Sequence, residues 1–279
     1  MVTYYLGSMF ETWWMEPLIA TIGFYQAIVI YSWLEIKEGV SSHKSIQNLL
    51  FGFSREAASD LNDVRPSQIY SLVLYWLGIL IFKSMVPPPA PSLPDGIPNS
   101  LSSLCVLCAE VMSGIVLYDI FFFFIHWTMH ECTFFQWVHH KEHHKVKSNI
   151  EARHVLRHSM LDGTLQVLVN ISVQRHTPWQ TVKSRLARAI HNIVITWMLT
   201  ESHTCTSYLY LFRRCCDGVK SHRKHHSGHG LDLVEGMPQY GKYHRYQQLF
   251  GFCDDFRAYL LRLKRKWTIR STCYKVKCG

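Results

Sequence analysis

Histidines are the residues of this chain best placed to do chemistry, because their spacing brings imidazoles together. His126 and His130 are four apart, His140, His143 and His144 form an H-x-x-H-H run, and His222, His225 and His226 repeat that run further along. On a helix, positions i, i+3 and i+4 share one face, so each cluster aims two or three imidazoles at one point. A lone histidine on an apolar face is usually a satisfied core residue. Three clusters are different: burying so many imidazoles without partners costs on the order of several kcal/mol, and a metal ion supplies the partner. Imidazole suits iron, zinc and copper, whereas magnesium and calcium prefer oxygen.

The elements that must hold these clusters are apolar. Charged residues make up 18% of the chain against 48% hydrophobic, a low charge content for a soluble protein, which points to a membrane. Leu18 to Leu34 carries no formal charge and has Trp13, Trp14 and Trp33 about its ends, close to the roughly 20 residues of a spanning helix. Ile69 to Val86 holds one charge, Lys83, near enough to its end to snorkel. A third stretch, Leu101 to Ile125, runs directly into the first histidine cluster. It carries Glu110 and Asp119, which are costly in a bilayer unless they face the protein interior or a hydrated site. Asp119 lies two helical turns before His126 and therefore on the same face, oriented toward the metal region.

Beyond the second cluster the pattern predicts a short helix with His154 and His158 at i and i+4, then an apolar stretch from Leu161 to Val173. A basic amphipathic link, Lys183 to Arg188, leads to a second apolar run, Ile190 to Leu199, and on to Glu201, Ser202 and His203. Neither run spans a membrane comfortably alone. A hairpin entering partway, or a fourth span with an interfacial helix, would each return His158 and His203 to the side of the clusters. The expected fold is an all-α integral membrane bundle of three to four spans with a histidine-rich cytosolic cap holding a dinuclear metal site. Residues 1–100 form the N-terminal spans and loops, 101–256 the catalytic region, and 257–279 a basic tail.

Loop charges give the orientation. Lys37, Lys44, Arg55 and Arg65 lie between the first two spans, whereas Pro87 to Pro98 has no Lys or Arg, so the first loop and the histidine clusters face the cytosol. The first span lacks a basic n-region and a small-residue cleavage site and reads as an anchor. The nine cysteines make no zinc or disulfide signature and are read as packed thiols in a reducing compartment. The net charge of +9 is concentrated in Arg257 to Lys277, interleaved with leucines, which suits anionic headgroups or an acidic protein partner. No nucleic-acid-binding motif accompanies it.

The three clusters hold eight histidines, and His158 and His203 make ten. Ten is too many for one tetrahedral zinc but fits two metals with open positions for dioxygen. H-x-x-x-H, H-x-x-H-H and H-x-x-H-H in this order, the first preceded by an apolar helix with Asp119, resembles the fatty acid hydroxylase superfamily. That family includes sterol C4-methyl oxidases, sterol C5-desaturases and fatty acid 2-hydroxylases. The resemblance covers roughly Asp119 to Gly251 and extends to His158, to His203 after Glu201, and to Tyr240-Gly241 and Leu249-Phe250-Gly251. Trp127, Ser159 and Gln247 stand where the family commonly has arginine, proline and aspartate, and Ser227 to Gln239 is longer than the usual connection.

The resemblance implies an endoplasmic reticulum enzyme that hydroxylates or desaturates a lipid, a sterol or a fatty acyl chain. It would be a non-haem di-iron mono-oxygenase or desaturase with two iron ions (Fe2+/Fe3+, zinc as a possible substitute). Dioxygen and electrons from NAD(P)H through cytochrome b5 or a similar carrier would drive it. Its metal ligands would be His126, His130, His140, His143, His144, His158, His203, His222, His225 and His226. Three other readings use the same residues: a membrane zinc-binding or transport protein, a bis-histidine haem carrier, and a catalytically silent member of the family. Transporters place ionisable groups near the bilayer midplane, whereas these clusters follow the spans.

Overall fold

Apolar runs without internal breakers become long helices, and capping residues set where those helices stop. The computed structural model describes residues 14–41, 64–85, 98–132, 134–135, 150–175, 183–212 and 219. Among them are five α-helices, one 3-10 turn and no strand: α1 (Met15–Glu38), α2 (Val64–Met85), α3 (Leu101–Glu131), the turn Ala152–Leu156, α4 (Met160–Arg175) and α5 (Arg185–His203). Helix α1 tolerates Pro17 in its first turn, where backbone N–H groups have no intrahelical partner anyway. It stops at Gly39, whose φ of 71° is the left-handed C-cap that glycine adopts without a Cβ penalty. Helix α3 starts at a reciprocal cap, with the Ser103 N–H donating to Ser100 Oγ and the Ser100 N–H to Ser103 Oγ.

Two helices, α1 and the Leu101–His126 part of α3, are long and apolar enough to cross a membrane. In α2 the apolar stretch among the described side chains is Leu72–Ile81. Trp14 and Trp33 are exposed at either end of α1, and nineteen residues of helical rise separate them by about 28 Å. That separation matches the hydrocarbon thickness of a bilayer, at whose boundaries tryptophan concentrates. Val73, Leu77, Leu80 and Ile81 make an exposed apolar stripe on α2, and Leu104, Met112, Phe121 and Phe124 are exposed along α3. Water would penalise such surfaces, and lipid would not.

Inside, the core joins Leu107, Val111, Ile115, Tyr118 and Phe122 of α3 to Val169 and Val173 of α4 and to Ala187 and Ile195 of α5. Helix α1 packs on α5, and α2 on α4. In lipid the hydrophobic effect does not drive helices together, so close backbone approach and hydrogen bonds must. Small residues supply the approach. A Cβ at Gly23 would stand 2.9 Å from Ile193 Cγ1, and one at Gly78 would stand 2.7 Å from Ile171 Cδ1.

Polar side chains supply the rest. The Arg188 guanidinium grips the Glu16 carboxylate through two bonds of 2.9 and 3.0 Å, tying α5 to α1. Glu110 and Asp119 are both fully buried in the bundle, the interior placement that their cost in lipid demands. The Lys183–Arg188 link is not a surface feature: Lys183 and Ser184 are fully buried, and Glu110 accepts from both the N–H and the hydroxyl of Ser184. Cys105, Cys108 and Cys132 are free and exposed rather than packed, because their positions fall on the outer side of α3 and at its end.

Candidate functional site

His203 is held by the backbone of its own helix. Its Nδ1 lies 2.7 Å from the Leu199 carbonyl oxygen, and a carbonyl can only accept, so Nδ1 carries the proton. Burial, opposed by that carbonyl and aided by neighbouring His158, lowers the imidazole pKa to about 4. The ring is therefore neutral at physiological pH and keeps its lone pair on Nε2. This is the state in which histidine binds metals, with the other nitrogen fixed by a carbonyl.

The segment around His203 is clasped by two buried carboxylates. Glu201 accepts from the Tyr31 hydroxyl at 2.7 Å and from the N–H groups of Leu211 and Phe212 at 3.1 Å. Glu35 Oε1 accepts from the Ala152 N–H at 2.9 Å, the Thr204 hydroxyl at 2.5 Å and the Cys205 N–H at 3.2 Å. One oxygen of α1 thus joins the segment leading to His158 to the segment leaving His203. His158, forty-five positions earlier in the chain, is near enough to influence the titration of His203.

His154 and His158 do not share a helical face as the i, i+4 spacing predicts. Glu151 caps a 3-10 turn: its N–H donates to His154 Nδ1 at 2.9 Å, and the turn ends before His158. His154 is consumed by that cap, while His158 is released to line a cavity. The cavity, about 130 Å³, runs between α1, α2, α4 and α5. Phe24, Leu72, Val167, Ile195 and Leu199 give it an apolar wall, and His158 stands among them.

His126 is buried near the end of α3, stacked on Phe122 with ring centroids 5.5 Å apart, and Phe122 stacks in turn on Tyr118 at 5.6 Å. These residues recur every four positions, and the stack fixes the face of α3 that His126 occupies. His130 falls on the last turn of the same helix. His140, His143, His144, His222, His225 and His226 lie outside the described residues. Among the described residues no group of three or more histidine, cysteine, aspartate or glutamate side chains could hold a metal. His203, neutral and with the lone pair on Nε2, has the chemistry of an imidazole ligand, and other residues would have to complete any metal site.

A second polar cluster, missed in the sequence, sits further along α4 and α5. Asn170, Gln174, His191 and Asn192 are linked by hydrogen bonds of 2.8 to 3.2 Å. Lys183 reaches in behind them, donating to the Val173 carbonyl at 2.9 Å. Burial lowers the Lys183 pKa to about 8, with Glu110 opposing the shift and Arg188 reinforcing it. A methyl group at Gly114 would stand 2.5 Å from Lys183 Nζ and 2.7 Å from His191 Nδ1, so only glycine leaves room for both. The signal available in the sequence was a trio of amides inside otherwise apolar runs.

No family model, curated protein or solved structure matches the chain.

Proposed function

We propose that this protein is a membrane-bound, non-haem di-iron lipid oxidoreductase. It hydroxylates or desaturates a sterol or fatty acyl chain with dioxygen and with electrons from NAD(P)H through a cytochrome b5-type carrier. The observation that carries the proposal is a buried, neutral His203, its Nε2 left unprotonated by the Leu199 carbonyl and its titration lowered by His158, which lines an apolar cavity. On this reading the chain lies in the endoplasmic reticulum membrane with three to four spans. Its ten-histidine centre of His126, His130, His140, His143, His144, His158, His203, His222, His225 and His226 faces the cytosol.

Bound iron would supply the oxidising power that an unactivated C–H bond requires, which protein side chains lack. The chain's own residues do the remainder. Leu199 holds the His203 proton on Nδ1, and Glu35 fixes the spacing of the two histidine segments. The apolar wall of Phe24, Val167 and Ile195 receives a hydrocarbon segment and excludes water from its reacting carbon.

The test combines iron quantitation on the purified protein with lipid profiling of cells carrying His143→Ala or His225→Ala. About two irons per chain, and a lipid product lost in both variants, is the expected result. One metal or none per chain sinks the dinuclear centre. Two irons with unchanged lipids identifies a catalytically silent protein, and zinc alone with unchanged lipids identifies a zinc-binding or transport protein.

A further inference from the structure

The amide cluster forms a hydrogen-bonded chain that runs in one direction and ends on the cavity wall. His191 Nε2 lies 3.2 Å from Asn170 Oδ1, and because a carboxamide oxygen only accepts, the imidazole donates. Asn170 Nδ2 donates to Asn192 Oδ1 at 2.8 Å, and Asn192 Nδ2 donates to the Tyr75 hydroxyl oxygen at 3.0 Å. Gln174 Nε2 donates to both asparagine oxygens, at 3.2 and 2.9 Å, so neither amide can turn over without setting donor against donor. Three helices contribute, and every donor points the same way.

Tyr75 is the end of this chain. Its oxygen takes the Asn192 hydrogen, and its own O–H finds no acceptor among the described residues. Tyr75, Asn170 and Asn192 all line the cavity, against the apolar Leu72, Val167 and Ile195. A head-to-tail chain polarises its last donor, and a buried hydroxyl without an acceptor costs roughly 1–3 kcal/mol. A ligand oxygen removes that cost.

The helices also set a length. Helix α4 starts two residues after His158 and reaches Asn170 ten residues later, a rise of roughly 15 Å. Helix α5 runs from Asn192 to His203 over eleven residues, roughly 16 Å. Both place the amide end of the helix pair about 15 Å from its histidine end.

We infer that Tyr75, backed by Asn192 and Asn170, is a subsite for the hydroxyl or carbonyl oxygen of an otherwise apolar ligand. The ligand's far carbon then lies at the His158 end. The subsite deepens the lipid reading of the cavity and rests on it for what happens at that far carbon, whereas the binding itself needs neither iron nor reductant.

The test is photolabelling of the purified full chain in detergent with two probes. One is a long-chain primary alcohol with a diazirine at its tail, and the other is the matching hydrocarbon without the hydroxyl. The alcohol should label about tenfold more strongly, the worth of one buried hydrogen bond, in the peptides containing His158 or Leu199. Tyr75→Phe should lower alcohol labelling to the hydrocarbon level while leaving hydrocarbon labelling unchanged. Competition on the unmutated protein gives a second measure: a long-chain ketone, which only accepts, should displace the alcohol as well as the unlabelled alcohol does. Equal labelling by both probes, label concentrated at Asn170 and Asn192, or a ketone competing no better than the hydrocarbon overturns the subsite. Discrimination that persists in a protein without oxidase activity would refute the function and keep the subsite, and the reverse result would do the opposite.

Discussion

The two ends of the α4 and α5 helix pair bury an imidazole in opposite ways. At one end a backbone carbonyl accepts from the Nδ1–H of His203, and the lone pair is left on Nε2. At the other, a side-chain amide takes the Nε2 proton of His191, and the lone pair is left on Nδ1, against Gly114 and Lys183. Both rings are buried, at 2% and 0% exposure, so burial does not separate them. The hydrogen-bond partner does, because it decides which nitrogen remains and what that nitrogen faces. One end leaves an imidazole lone pair on Nε2, and the other orients amides.

The sharpest way to break this contrast is to remove each ring. His203→Ala should lower iron content and product formation by about a hundredfold, the upper range for losses at a metal site, while His191→Ala should keep its iron. Equal iron loss in both variants would show that the two rings serve one site. Next in size is Glu35→Ala, which strands the donors of Ala152, Thr204 and Cys205 at the histidine end. It should cost about 3 kcal/mol in thermal unfolding and reduce iron binding, and Glu35→Gln, which keeps an accepting oxygen, should lose less.

Gly114→Ala strikes the amide end. The added methyl collides with Lys183 and His191, and the expected loss is about 1–3 kcal/mol with iron per folded chain unchanged. The last test is in pH. Lys183 has a folded pKa of about 8 against its ordinary 10.5, so between those values the unfolded chain binds a proton that the folded one lacks. Stability should therefore be lowest below pH 8 and rise toward pH 10.5. Lys183→Met should flatten that slope, which thermal unfolding across the range would measure, and an unaltered slope would remove Lys183 as its origin.

The helices were legible because apolar runs carry their own signal. Leu18 to Leu34 became α1, lengthened at both ends by the proline-tolerant first turn and the Gly39 cap. Glu110 and Asp119 could be placed inside from the cost of exposing them to lipid. What did not follow was anything fixed by partners distant in sequence. Lys183 and Arg188 read as a basic link because their partners, Glu110 and Glu16, belong to other helices. Glu35 read as nothing more than a carboxylate near the end of a span, since its three donors lie more than a hundred residues away. The 3-10 turn at His154 was hidden by its own spacing, which fits an α-helix equally well.

If α1 spans a membrane as proposed, the Glu35 clasp makes the bilayer part of the geometry of both histidine segments. Helix α1 is long and apolar enough to span, and the same helix carries the oxygen that joins the segment before His158 to the segment after His203. A membrane thinner or thicker than its apolar stretch is accommodated by tilting the helix, at a modest energetic cost per ångström. Tilt moves Glu35, and with it both histidine segments. Bilayer thickness would then be a mechanical input to both segments, registered through one carboxylate.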